Sequence, residues 1–377
     1  MTDTEATMRI QNLISTLLTL VFVLWSHTFL HAANAQRVPI IYGTDLFHPH
    51  DDPDDHFDLA TLFAMPELDV KAILLDLGKK QKDKPGRIPV EQMFHLTGHR
   101  APYATGLNAK LKSPDDPGLD QPQEDQGAVK LLLETLRQSP EPVILFLTGS
   151  VRDTCAAFNR EPKLLHDKIA RLYINMGSLL EDQGEWNEFL DPQAYMGLMQ
   201  SGLPIYWCPC RPTKQNRSTH WSFRHGEVLE GVPPTLLNYF IYALQVPRPH
   251  ELDPIEALTM DLRPWRHLVM NMKRNMWCTG PMIHAAGRSI YKCNNRWIAT
   301  ASLPENSPRA DVFTFVPVRV EITDRKGRAF TTWKEDASSP NMHLYKVTDA
   351  VNHQPALKSC LREMFHRFPV VVKTKYE

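Results

Sequence analysis

A chain of 377 residues with 42 Lys and Arg against 43 Asp and Glu carries a net charge of −1, which leaves no basic excess for a nucleic-acid surface or a polybasic membrane patch. Hydrophobic residues make up 42%, enough for a sizeable core, so the 30 prolines mark an ordered domain rich in loops rather than a disordered chain. Six cysteines are too few for a disulfide scaffold.

In chain order, the first element is "LISTLLTLVFVLW" at 13–25, an apolar run followed at 33–35 by the small-x-small step Ala-Asn-Ala. That pairing predicts a signal peptide over 1–35 and a product exported to a periplasmic or extracellular space. A retained N-terminal membrane anchor is the alternative, although the run is short for a span of ~20 residues. No stable membrane span is expected after processing, and residues 36–377 are expected to form one domain.

"VPIIYGTD" (38–45) then reads as a buried strand, and a helix follows from about Asp54 to Ala64. "LDVKAILLDLG" (68–78) reads as the next buried strand. Strand, helix and strand without a hairpin signal make a βαβ unit, hence a parallel sheet. The pattern recurs: a helix at 127–139 leads into "PVILFLTGS" (142–150), and a helix through 155–169 leads into "ARLYINMGS" (170–178). The segment 191–202 opens on Asp-Pro and closes on Gly, a helix signature, before the strand "LPIYW" (203–207). Beyond it come helical stretches near 233–247 and 280–291, an antiparallel strand pair near 312–333 turning at "DRKG", and a closing helix near 355–367. The sum is an α/β fold with an open, mostly parallel sheet flanked by helices and a small antiparallel strand pair near the C-terminus.

"DDPDDHFD" (51–58) raises the functional question, because Asp51, Asp52, Asp54, Asp55 and Asp58 repel one another. Asp52 as N-cap with Pro53 at the first helical position is one explanation, each favourable charge contributing ~0.3–1 kcal/mol. A hard cation that takes six to eight oxygen ligands is the other. Ligands in open parallel sheets sit outside the carboxyl ends of the strands. Asp45, Lys79, Thr148, Met176 and the loop after Tyr206 fall at such ends, which favours the cation. "CPC" at 208–210, with His220 and His225 beyond, has a Cys spacing shorter than zinc sites use.

Several of these pieces, taken together, resemble the nucleoside hydrolase family, the inosine–uridine preferring N-ribohydrolases. They are "TD" at 44–45, "DD" at 54–55 with "PE" at 66–67, "LTGSVRDTCAAFNREP" at 147–162, "INMGS" at 174–178 and "EWNEFLDPQA" at 185–194. The resemblance runs from about 38 to 370. It implies a hydrolase cleaving the N-glycosidic bond of a ribonucleoside or related riboside with a Ca²⁺-activated water. Asp45, Asp55 and the Thr148 carbonyl would bind Ca²⁺, Asp54 would be the general base, Glu185 and Asn187 would hold ribose hydroxyls, and Met176 would pack by the sugar. The partner implied is a small-molecule riboside, not a nucleic acid, and homo-oligomerisation is left open. Asp191 and Pro192 read as a helix cap, and Asp58 as a surface or supporting acid.

The departures are specific. Thr279 and Gly280 stand where the family carries His-Asp, Lys79 stands where it carries Asn, and the loop between Met176 and Glu185 is short. With that carboxylate gone, Asp51 or Asp52 is expected to help complete the cation's shell; His220 and His225 read as ordinary surface histidines of a polar loop, with contact of His220, Trp221 and His225 to a leaving group as the alternative. Two readings compete: a binding protein holding ribosides or sugars without turnover, and a metal-dependent hydrolase of another glycoside or phosphorylated sugar, with the lysines of 79–84 meeting the phosphate.

Overall fold

Strand β1 (Val38–Thr44) is followed by β2 (Leu68–Leu75), β3 (Tyr103–Thr105), β4 (Val143–Leu147), β5 (Ile169–Ile174) and β6 (Ile205–Trp207), with each neighbouring pair parallel. Next come β7 (Trp221–Arg224), β8 (Lys273–Met276), β9 (Ser289–Cys293), β10 (Arg296–Thr300), β11 (Phe313–Asp324), β12 (Ala329–Glu335) and β13 (Met342–Val347). In this computed structural model, which describes residues 37–376 apart from 181–182, 214–216 and 245–251, the main sheet has the order β12-β11-β13-β6-β5-β4-β1-β2-β3. The leader read over 1–35 lies outside the described residues. Val38–Glu377 form one compact unit.

Why the parallel strands read as continuous apolar runs follows from their two faces. Along β1, Ile40 and Tyr42 enter one core while Ile41 enters the other. Along β4, Ile144 and Phe146 enter the first, and Val143, Leu145 and Leu147 the second. Successive side chains alternate, and both sides must be dry because crossover helices cover both. The helices Asp54–Phe63, Arg87–Thr97, Pro234–Ala243 and His353–His366 cover the first face, supplying Phe57, Met93, Phe240 and Leu361. Gly127–Gln138, Arg152–Arg160 and Pro192–Met199 cover the second with Leu132, Cys155 and Leu198.

The C-terminal third differs from its sequence reading in two ways. The antiparallel pair β11–β12 is no appendage: β11 lies antiparallel to β13, which itself runs parallel to β6, so the pair extends the main sheet at one edge. The helix expected over 280–291 stops at Ala285, after which Gly287 takes φ +68° and β9 begins at Ser289. The helix expected over 233–247 is described as Pro234–Ala243, and 245–247 lie outside the described residues. Among the described residues no helix is long and apolar enough to cross a membrane, and the six cysteines form no disulfide.

The strand order reverses at β1, whose neighbours are β2 on one side and β4 on the other. A crevice opens at such a switch point because the connections leave in opposite directions. The residues beyond β1 and β4 therefore face one hollow.

Candidate active site

That hollow is a cavity of ≈ 290 Å³ lined by Asp45, Asp54, Asp55, Thr148, Glu185 and Asn187, together with Asn175 and Trp277. Six of the seven site residues proposed from sequence thus meet in one place, drawn from the ends of β1 and β4, the start of the helix Asp54–Phe63, and the segment after β5. Met176 is the exception. Its side chain is buried in the second core and does not line the cavity, while its carbonyl accepts a hydrogen bond from Trp207 Nε1 at 2.9 Å. Asn175, one residue earlier, points the other way and lines the cavity instead.

Hydrogen bonds fix the polar wall. Thr44 Oγ1 donates to Asp55 Oδ1 at 2.9 Å, and Thr148 Oγ1 lies 3.3 Å from the same oxygen. Asn187 Nδ2 donates to the Thr148 carbonyl at 3.1 Å and to the Asn175 carbonyl at 3.2 Å. Glu185 Oε2 accepts from the Gly177 and Asn187 backbone N–H groups, each at 3.1 Å, which also caps the short helix Trp186–Leu190. Glu185 and Asn187 are therefore locked side chains and not a loose polar loop.

The acids are held at a cost. Burial, then the neighbouring Asp76, pushes Asp45 up to about 8. Burial first, and then the other aspartates of the cluster, pushes Asp54 and Asp55 well above the ordinary carboxylate range. No lysine or arginine is ion-paired to Asp45, Asp54 or Asp55 among the described residues; the cations at the mouth go elsewhere. Asp51 pairs with Lys80 and Lys84, and Asp52 pairs with Arg274 at 2.8 Å.

Asp51 and Asp52, expected to help complete a cation shell, line the same cavity and are engaged in these ion pairs. Both are exposed and already neutralised. Asp52 also makes no cap: Pro53 occupies the cap position of the helix, with no side-chain cap bond. The lysines expected to meet a phosphate instead serve Asp51, and the Lys79 backbone N–H donates to Asn108 Oδ1 at 3.0 Å. Trp221 and His225 are buried in the core rather than facing a leaving group; exposed His220 lies against Trp277 at 5.4 Å between ring centroids. Asp191 caps Pro192–Met199 by accepting from Ala194 N–H at 3.0 Å, and does more, since Arg152 Nε donates to it at 2.7 Å in the interior. Asp58 is no surface acid: it is 1% exposed and lines the cavity.

Sequence reasoning missed Asn175, Asp58, Trp186 and Trp277. Asn175 had a signal, a polar residue ending an otherwise apolar strand in "YINMGS". Trp186 had one as well, beside Glu185 in a polar segment, and it is 67% exposed here at the cavity wall.

A family model for inosine–uridine preferring nucleoside hydrolases matches residues 40–357, from β1 into the last helix. The chain belongs to that family. Family members are generally metal-dependent. The pyrimidine-specific ribonucleoside hydrolase RihA of Citrobacter koseri is 31% identical over 188 residues, 45% of this chain and 58% of that protein. The RihA of Salmonella arizonae is 32% identical over the same length. The matched stretch thus spans little more than half of those relatives. Among solved structures, the purine-preferring ribonucleoside hydrolase from Gardnerella vaginalis superposes with a TM-score of 0.50 at 13% identity, covering 87% of this chain and 99% of that one. The likeness confirms the shared nucleoside hydrolase fold. Thr279 and Gly280 are buried at the start of the helix Thr279–Ala285.

Among the described residues no three His, Cys, Asp or Glu side chains converge as a metal-holding group. The donors on offer are the carboxylates of Asp45 and Asp55 and the Thr148 carbonyl. Their chemistry fits a hard cation: all are oxygen, and the carboxylates lack any cationic partner among the described residues. Their number falls short of six to eight, so water or substrate hydroxyls must make up the rest.

Proposed function

We propose that this protein hydrolyses the N-glycosidic bond of a ribonucleoside or related riboside. The observation that supports this most is the meeting of Asp45, Asp54, Asp55, Thr148, Glu185 and Asn187 around one cavity at the sheet's switch point. On this reading Asp45, Asp55 and the Thr148 carbonyl hold Ca²⁺, which when bound acidifies water and fixes the sugar's vicinal hydroxyls.

The protein's own residues do the remaining work. Asp54 sits at the first turn of its helix beside Asp55 and takes the proton of the attacking water. Glu185 uses one carboxylate oxygen for backbone N–H groups, leaving the other to accept from a ribose hydroxyl. Asn187 spends its amide N–H groups on Thr148 and Asn175, so its Oδ1 is left to accept. As the C1′–N bond lengthens, the sugar gains oxocarbenium character, and the surrounding carboxylates stabilise that charge. Exposed Trp186 and half-buried Trp277 offer flat faces to a base.

The test is a panel of purine, pyrimidine and other ribosides, with released base and free ribose measured with and without Ca²⁺. Equimolar base and ribose from at least one riboside, lost on chelation, is the expected result. Binding without turnover across the panel would overturn the catalytic reading in favour of a riboside-binding protein. Residues 13–25 and 33–35 support export with cleavage before Gln36, which N-terminal sequencing of the mature protein checks.

A further inference from the structure

Asp58 follows Asp54 by one helical turn. Two further observations single it out. The Asp58 carboxyl is 1% exposed and lines the cavity, yet its Oδ1 has no hydrogen-bond partner. The thiol of Cys278, the residue directly before Thr279, hydrogen-bonds to the carboxyl. A buried polar atom without a partner costs free energy, and one facing a cavity is satisfied when something fills it.

We propose that Asp58 is the proton donor to the departing base, an inference that rests on the hydrolase reading above. Among the described residues, the groups facing it supply no cation that would hold the carboxyl ionised. Asp54 and Asp55 on its own helix and Asp52 just before it repel a negative charge, and Tyr42 of β1 and the thiols of Cys210 and Cys278 are neutral when buried. Neither Lys nor Arg pairs with it among the described residues. Burial, opposed by the Cys278 contact and reinforced by Asp52, brings Asp58 up to about 7, where a carboxyl can donate and be reloaded at neutral pH. The buried thiols of Cys210 and Cys278 are pushed well above their ordinary range and make poorer donors.

The step balances. The C1′–N bond breaks and its electron pair passes to the base, which takes the Asp58 proton. The water oxygen bonds to C1′ and loses its proton to Asp54. Exchange through solvent returns a proton from Asp54 to Asp58, leaving ribose and neutral base. Residues four apart on a helix place their Cβ atoms ~5–6 Å apart.

The experiment compares a nucleoside, whose base needs a proton to leave, with 4-nitrophenyl β-D-ribofuranoside, whose nitrophenolate does not. Asp58→Asn is expected to lower kcat for the nucleoside by about 10²-fold or more while nitrophenyl riboside hydrolysis stays within about threefold. Asp58→Glu should recover part of the nucleoside rate. Equal losses on both substrates, or loss on neither, would overturn the proposal. If Asp58→Asn does not fold, the unaltered protein decides: an alkaline limb in kcat for the nucleoside, absent for the nitrophenyl riboside, supports Asp58, and superimposable profiles overturn it. An unaltered protein inactive on both substrates removes the hydrolase reading itself, a failure distinct from loss of Asp58's role.

Discussion

Gly280 lies so close to Tyr345 that a Cβ added to it would stand 2.6 Å from the phenolic oxygen. Tyr345 is fully buried, and its OH is 2.7 Å from His353 Nε2, so it cannot swing aside cheaply. A carboxylate side chain therefore has no room at this position. Gly280→Asp should destabilise the protein by ~1–3 kcal/mol through overpacking and leave Ca²⁺ affinity no tighter. Urea unfolding and titration calorimetry check the two halves. Tighter Ca²⁺ binding without loss of stability would show that the site can be restored after all.

Arg152 and Asp191 form an ion pair with 2% and 0% of their side chains exposed. Arg152 also donates to the Leu107, Asn108 and Leu190 carbonyls, so the pair ties the loop after β3 to the segment that carries Glu185 and Asn187. Removing one partner strands a buried charge. Asp191→Ala should cost ~3–5 kcal/mol in urea unfolding, well above the ~1 kcal/mol of an ordinary cap. A cost near the cap value would reduce Asp191 to the role its sequence suggested.

The sheet was legible because both of its faces are buried, which leaves long apolar runs separated by helical periodicity. Asp45, Asp54, Asp55 and Thr148 were legible because they follow strand ends or open a helix, where the chain direction alone places them. Met176 was misread for a related reason: the residue at a strand end is easy to name, but which side it faces depends on a one-residue phase that the strand's continuous apolar run hides. The ion pairs of Asp51 and Asp52 are not legible in the sequence because the partners, Lys80, Lys84 and Arg274, come from separate segments. Asp58 lies one helical turn after Asp54, which hints at a shared face, but its partner Cys278 stands 220 positions further along and no local pattern announces that contact.

Asp51 and Asp52 should prove dispensable for the cation. Their ion pairs are exposed, and such pairs contribute about 0–1 kcal/mol. The double variant Asp51→Asn, Asp52→Asn should change Ca²⁺ affinity by less than about threefold at 0.15 M salt, because each carboxylate is already neutralised by its ion-pair partner. A tenfold loss would put one of them in the cation's shell.

Asp54 and Asp55 adjoin in sequence but should separate in function. Asp55 accepts from Thr44 and Thr148, whereas Asp54 lines the cavity from the first turn of the helix. Asp54→Asn should lower turnover by ~10²–10⁴ while Ca²⁺ affinity falls less than in Asp55→Asn. Calorimetry beside steady-state kinetics on both variants checks this, and unchanged turnover in Asp54→Asn would remove it as the base.

Asp153 offers a clean test of how burial sets the pH dependence of stability, because it lies outside the cavity. Its Oδ1 accepts from Leu107 N–H at 2.8 Å. Burial, and then the nearby Asp76, pushes it from 3.8 up to about 7. A carboxyl whose folded value is raised binds more protons in the native state than in the unfolded one across that interval. Its contribution to stability is then fully present below pH 3.8, declines as pH rises towards 7, and stays lost above. Each pH step of one between the unfolded and folded values is worth about 1.4 kcal/mol. Asp153→Asn keeps the acceptor for Leu107 and removes the charge, so it should exceed the parent in stability by ~1–4 kcal/mol at pH 8 and by nothing at pH 4. Urea unfolding at both pH values measures the difference. A variant less stable than the parent at pH 8 would mean that the ionised carboxylate is stabilised by its surroundings, with Arg152 and Arg160 outweighing burial.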